Sequence, residues 1–307
     1  MFLLRTTSRC ALAVLVAGGL AGCSLNRLAV NKLGDALSSG GGAFATDDDP
    51  ELVKAAVPFS LKLMESLLVE SPEHRGLLLA ASSGFTQYAF AFVQEEADEL
   101  EAVDFDASQA LRGRARRLYV RARNYGLRGL EVSRPGFGAA LPGDPRAAVA
   151  GFTKADVPQL YWTAAAWAAA ISLGKDDPAL LAEIPQMEAL IDRAAELDAD
   201  WGEGAIRGFL VNYEMARQGV SGDPIERARA HFERAVELAG GRQAGPFVTY
   251  AEAVCVEQQD HAKFVELLER ALAVDVDGHP DQRLVNLIMQ RRARWLLSRQ
   301  EELFLLP

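Results

Sequence analysis

Five times along this chain a residue that caps helices stands directly before proline: Asp49-Pro50, Ser71-Pro72, Asp144-Pro145, Asp177-Pro178 and Asp223-Pro224. The side-chain oxygen of such a residue can satisfy an orphan backbone N–H, and proline at the first helical position wastes no donor. Glu226, three residues after Asp223, predicts a capping box there. Strand signals are nearly absent after Pro50. Between the starts, apolar residues recur at spacings of three and four, which predicts helices at 51–70, 72–100, 107–131, 157–173, 185–198, 201–218, 224–239, 246–258, 261–275 and 281–300. Pro58 should kink the first helix or mark its true start. Pro135 to Gly151 is the longest irregular stretch, a functional loop or a bend between helical layers.

The second half repeats itself. Ile191-Asp192-Arg193-Ala194-Ala195-Glu196-Leu197 resembles both Phe232-Glu233-Arg234-Ala235-Val236-Glu237-Leu238 and Leu268-Glu269-Arg270-Ala271-Leu272-Ala273-Val274. The period is close to that of tetratricopeptide repeats with slightly long loops. Ala228, Phe232 and Ala235 fit the small–large–small pattern of the second helix of such a repeat. Phe264, Leu268 and Ala271 fit it more loosely, as do Met187, Ile191 and Ala194. The expected fold class is all-α, with degenerate tetratricopeptide-like repeats in a compact helical array over residues 50–307.

The N-terminus carries an address. Arg5 and Arg9 precede an apolar run from Cys10 to Leu20, too short to span a bilayer comfortably, and small residues follow. Residues 1–22 read as a secretory signal peptide. Its ending, Leu20-Ala21-Gly22-Cys23, resembles a bacterial lipobox, in which the cysteine is lipidated and becomes the first mature residue. Ser24 after it is the kind of residue that, in lipoproteins, accompanies outer-membrane sorting. Residues 23–49 are then the lipidated cysteine and a tether. Leu25, Leu28, Leu33 and Leu37 could form one face of a short helix, on the membrane or on the body, before the flexible run Ser38-Ser39-Gly40-Gly41-Gly42.

Charge and cysteine usage narrow the function. Losing the signal takes the formal net charge from −10 to −12, which disfavours nucleic acid as a partner. With Cys10 removed and Cys23 lipidated, only Cys255 remains, so no intramolecular disulfide is expected and Cys255 should pack in the core. The four histidines show no metal-ligand spacing, and no nucleophile elbow or phosphate-binding glycine loop is present. His231 and His261 read as exposed polar positions. Seven acids from Glu95 to Asp106 and seven arginines from Arg112 to Arg128 read as two solvated faces with cross-helix ion pairs. No catalysis, cofactor or metal is expected.

Aromatic spacing is more suggestive. Phe85, Tyr88 and Phe92 are placed to share a helix face. Tyr161, Trp162 and Trp167 lie on a helix otherwise rich in alanine, which allows close helix approach and can leave room for an apolar ligand. These six are the candidate ligand-binding residues; the bland alternative is that they are core.

A resemblance joins these readings. The strings Asp47-Asp48-Asp49-Pro50-Glu51-Leu52, Pro58-Phe59-Ser60-Leu61-Lys62, Ser83-Gly84-Phe85-Thr86-Gln87-Tyr88, Arg116-Arg117-Leu118-Tyr119, Leu160-Tyr161-Trp162-Thr163-Ala164 and Arg291-Arg292-Ala293-Arg294-Trp295-Leu296-Leu297 are similar to the T component associated with tripartite ATP-independent periplasmic (TRAP) transporters. That resemblance implies a lipoprotein anchored in the bacterial envelope and facing the periplasm. It implies association with a periplasmic solute-binding protein, an apolar passage for a small apolar or organic-acid ligand, and homotrimers. The alternative is an envelope scaffold that holds a protein partner and no small molecule. The segment Glu301 to Pro307, apolar at Leu303 to Leu306, should dock on the body or on a neighbouring subunit.

Overall fold

The computed structural model describes residues 31–36 and 42–305; the signal peptide, Cys23 and residues 24–30 and 37–41 of the tether lie outside these residues. Among the described residues the regular structure is helical, with no strand. The longer helices are α1 (Pro50–Glu70), α2 (Arg75–Ala89), α3 (Glu95–Leu100), α4 (Phe105–Ser133), α5 (Val157–Ser172), α6 (Ile184–Asp198), α7 (Trp201–Ala216), α8 (Pro224–Ala239), α9 (Gly245–Tyr250), α10 (His261–Leu272) and α11 (Arg283–Ser298). A π-helical turn, Phe90–Gln94, joins α2 to α3 without a break, and a second, Ala251–Cys255, prolongs α9.

Four of the five cap–proline pairs cap a helix start. Asp49 Oδ1 accepts from the N–H groups of Glu51 and Leu52, Asp144 from Ala147, and Asp223 from Ile225. Asp177 caps only a short turn, Pro178–Leu181. Three expected features are not found. Ser71 ends α1 rather than starting α2; its hydroxyl donates to Asn31 Oδ1, and His74 Nδ1 accepts the Leu77 N–H at the true start. Glu226 does not close a box at Asp223, because its carboxylate pairs with Arg229 one turn on. Pro58 is not a start either: α1 runs through it from Pro50.

Two apolar cores organise the array. The first gathers α1, α2, α4, α5 and α6 and reaches Ile206 and Leu210 on α7. The second gathers Val211, α8 to α11 and Phe304. Phe90, at the first π turn, packs against both. Helix α4 is the spine of the first core, lying against α2 on one side and α5 on the other. Glycine makes that approach possible. A Cβ at Gly126 would stand 2.2 Å from Thr163 Oγ1, and one at Gly129 would stand 2.6 Å from the Gln159 carboxamide. The bend from Pro135 to Gly151 is packed, not open: Phe137, Leu141 and Val149 are buried, and Phe137 meets Phe152 edge-on at 5.2 Å.

In the second half the three small–large–small triads are all buried. Helix α7 opens with Gly202, Glu203 and Gly204 in the left-handed region (φ 64°, 55° and 94°). A Cβ at Gly204 would lie 3.2 Å from Ala235 Cα, so the α7–α8 contact uses glycine against alanine. The C-terminal segment docks through Phe304, 4 % exposed, whose ring meets Phe264 at 4.8 Å. Leu305 stays in solvent, and 306–307 lie outside the described residues. Of the tether, 31–36 forms a helical turn against the N-terminus of α2, with Gly34 buried and Leu33 exposed. Asn31 and Asp35 meet His74 there; of the expected leucine face only Leu33 is described, and Leu25, Leu28 and Leu37 lie outside the described residues.

Candidate functional site

The six aromatic candidates fall into separate groups. On α2, Phe85 is buried, stacked on Tyr125 of α4 at 6.0 Å, with the Arg121 guanidinium over its ring at 5.4 Å. Tyr88 and Phe92, also buried, touch at 5.7 Å across the π turn. Trp167 is buried; its indole N–H donates to Glu183 Oε2 at 2.8 Å and Arg123 lies over the ring. Tyr161 and Trp162 differ, being only half-buried. They meet edge-on at 5.0 Å, and Tyr161 also meets Trp201 of α7 at 5.1 Å. Burial pushes the Tyr161 phenol up to about 12. Among the described residues no ring contact joins the α2 trio to Tyr161, Trp162 or Trp167. Spacing alone could not foresee Trp201 and Tyr125, since each comes from another helix.

Two open depressions lie elsewhere. One, of about 290 Å³, is lined by Asp144, Pro145, Arg146, Pro185, Glu188, Ala189 and Asp192. Its acids are answered from below: Tyr213 donates to Glu188 at 2.7 Å, and Arg217 pairs with Asp192. The other, of about 300 Å³, is lined by Arg117, Val120, Arg121, Asn124, Tyr125 and Arg128 on the outer face of α4.

The most highly charged interior point was missed by the sequence reading. Glu95 is not on a solvated face; it is 3 % exposed, and Arg292, at 7 %, is buried beside it. Arg292 Nη1 lies 3.2 Å from Glu95 Oε2 and 2.8 Å from Asp98 Oδ2, and its other arm pairs with Glu252. Each π turn adds a residue to its helix, which rotates the side chains that follow by about 100°. The first π turn immediately precedes Glu95 and the second contains Glu252. Burial works against the Arg292 charge, but Glu252, Glu95 and Asp98 outweigh it and hold the guanidinium ionised. Glu95 is the acid that yields: burial pushes it up to about 7, against the pull of Arg292. Its Oε1 has no hydrogen-bond partner among the described residues. Three acids around one guanidinium leave this cluster a structural joint between the cores.

The histidines also differ from expectation. His231 is half-buried, with Nδ1 3.2 Å from Arg207, and burial followed by that guanidinium holds it below its ordinary value. His261 is half-buried, 2.9 Å from Gln300 Oε1 and edge-on to Phe304. Cys255 is buried in the second core as expected, and burial pushes its thiol up to about 12.

Comparison with known families settles the lineage. The family model described as TRAP transporter T-component matches residues 46–304. The chain belongs to the TRAP transporter T-component family. An uncharacterized protein of Treponema pallidum (strain Nichols) is 33 % identical to this T component over 303 residues, covering 93 % of the chain and 94 % of that relative. Membership associates this T component with an envelope transport system of bacteria, a role that is not in itself catalytic.

Proposed function

We propose that this T component is a lipoprotein anchored through Cys23, facing the periplasm from the outer membrane, and that it docks the solute-binding protein of a TRAP transporter. A small apolar or organic-acid ligand passes between the helices, entering at Tyr161 and Trp162. Phe85, Tyr88, Phe92 and Trp167 are the further aromatics proposed to meet the ligand along its way. The body is built of tetratricopeptide-like repeats and works as a homotrimer, without catalysis or cofactor. The observation that carries this reading is the family match over residues 46–304. The half-buried rings of Tyr161, Trp162 and Trp201 support the entrance, because a closed core would have covered them.

A pull-down tests it. The full chain, solubilised from the envelope and immobilised, is exposed to periplasmic extract of its own bacterium. A TRAP-type solute-binding protein as the dominant catch supports the proposal. Recovery of envelope-assembly components alone supports the second reading, a scaffold for a protein partner. The polar depression at Asp144, Arg146, Glu188 and Asp192 favours that second reading, as does the burial of Phe85 and Tyr88.

A further inference from the structure

The chain is strongly acidic, yet one outer face collects positive charge. Arg114, Arg117, Arg121 and Arg128 lie exposed along α4, and Lys62 of α1 stands beside them with Glu65. Arg117 makes no ion pair among the described residues. Arg128 donates to a carbonyl, Pro72 O, at 3.0 Å, and covers the Tyr125 ring. Arg121 is 3.6 Å from Glu65. That carboxylate is already engaged: Lys62 pairs with it and the Tyr125 hydroxyl donates to it at 2.8 Å. The face therefore keeps a surplus of guanidinium groups around a shallow depression floored by Val120 and Tyr125.

Its position is as telling as its charge. Pro72, held by Arg128, adjoins Ser71, whose hydroxyl is 2.7 Å from Asn31 Oδ1. The tether is pinned at this corner by His74, with Nε2 3.1 Å from Asn31 O and 3.3 Å from Asp35. From Asn31 back to Cys23 the chain can reach at most about 28 Å. Exposed Val69, 78 % accessible, stands at the same end of α1.

We propose that the arginine face of α4 rests on anionic phospholipid headgroups, at the corner where the lipid-bearing tether leaves the body. This rests on the lipoprotein reading above. The phosphates would meet Arg117, Arg121 and Arg128, and the acidic remainder of the surface would be turned away by like charge. The lipid chains hold the protein on the membrane; the basic face fixes its orientation.

The test uses the mature chain, residues 23–307, carrying Cys23→Ala, which cannot be lipidated, and vesicles containing phosphatidylglycerol or phosphatidylcholine alone. Co-sedimentation should favour phosphatidylglycerol, and the preference should fade as salt is raised. Replacing Arg117, Arg121 and Arg128 together by Gln should weaken binding on the order of a hundredfold. Arg117→Glu alone should weaken it by roughly tenfold or more with unchanged thermal unfolding, since that guanidinium makes no ion pair among the described residues. Neutralising Arg146, Arg229 and Arg294, exposed elsewhere, should leave binding near the parent level. Equal binding to both vesicles overturns the proposal, and so does an equal loss in the control variant. Mass measurement of Cys23 in the native chain reads the anchor separately. An unmodified cysteine there would sink the lipoprotein reading and, with it, the reason for this face to lie at a membrane.

Discussion

Arg292 Nη1 lies 3.2 Å from Glu95 Oε2, although 197 positions separate them in the chain. The guanidinium also covers the Trp295 ring at 4.5 Å. It belongs to α11 of the second core, while Glu95 and Asp98 belong to α3 at the edge of the first. The two halves are thus joined by a buried, charge-assisted contact in addition to the apolar bridge of Phe90.

Arg292→Met should destabilise the protein by about 3–5 kcal/mol, because it strands Glu95 and leaves Glu252 and Asp98 facing each other. Urea unfolding measures this. Combining it with Glu95→Gln should recover part of the loss; if the two effects simply add, the contact does not join the halves.

Glu95 makes stability depend on pH. Its folded value, about 7, exceeds the ordinary value of 4.5, so the folded state holds an extra proton between these limits. The associated stability is present below the ordinary value and is lost as pH rises through about 7. Relative to Glu95→Gln, the parent should lose roughly 3 kcal/mol between pH 4.5 and pH 8. Parallel stability curves for the two proteins would contradict this.

Gly126→Ala tests the α4–α5 approach. Alanine gains up to about 1 kcal/mol of helix propensity, but the new methyl meets Thr163 Oγ1 at 2.2 Å. A net loss of about 1–3 kcal/mol is expected, with Thr163→Ala in the same chain restoring much of it. Thermal unfolding of the double-mutant cycle reads the coupling.

Trp162→Ala and Trp167→Ala should separate. Trp167 is buried and hydrogen-bonded to Glu183, so its loss should cost about 3–5 kcal/mol. Trp162→Ala should cost less and should abolish ligand uptake, followed by tryptophan fluorescence against a panel of apolar acids. If Trp162→Ala instead costs stability and leaves binding intact, the aromatic set is core.

Cys255 should resist thiol reagents at neutral pH, since burial pushes its thiol up to about 12. Peptide mapping after timed alkylation should find it labelled only at the rate of unfolding.

The helices were legible because caps and periodicity act locally. Asp49, Asp144 and Asp223 each cap the turn that begins beside them, and nothing distant alters that. Ser71-Pro72 misled because the same pair also suits a helix end, and Asn31, 40 positions away, takes the hydroxyl. A run of acids cannot reveal which member faces inward. Glu95 is selected by Arg292 and by a π turn that a repeat of three and four does not distinguish from an α-helix. The aromatic spacing on α2 correctly placed Tyr88 beside Phe92, but whether a ring is half-buried depends on partners such as Trp201 from another helix.

The distance in sequence between Glu95 and Arg292 also sets an order of events. A chain made N-terminus first presents Glu95 long before its guanidinium partner has been added. Glu95 meets its cation only once α11 is in place, so a chain that stops short of Arg292 lacks the one guanidinium that this contact supplies.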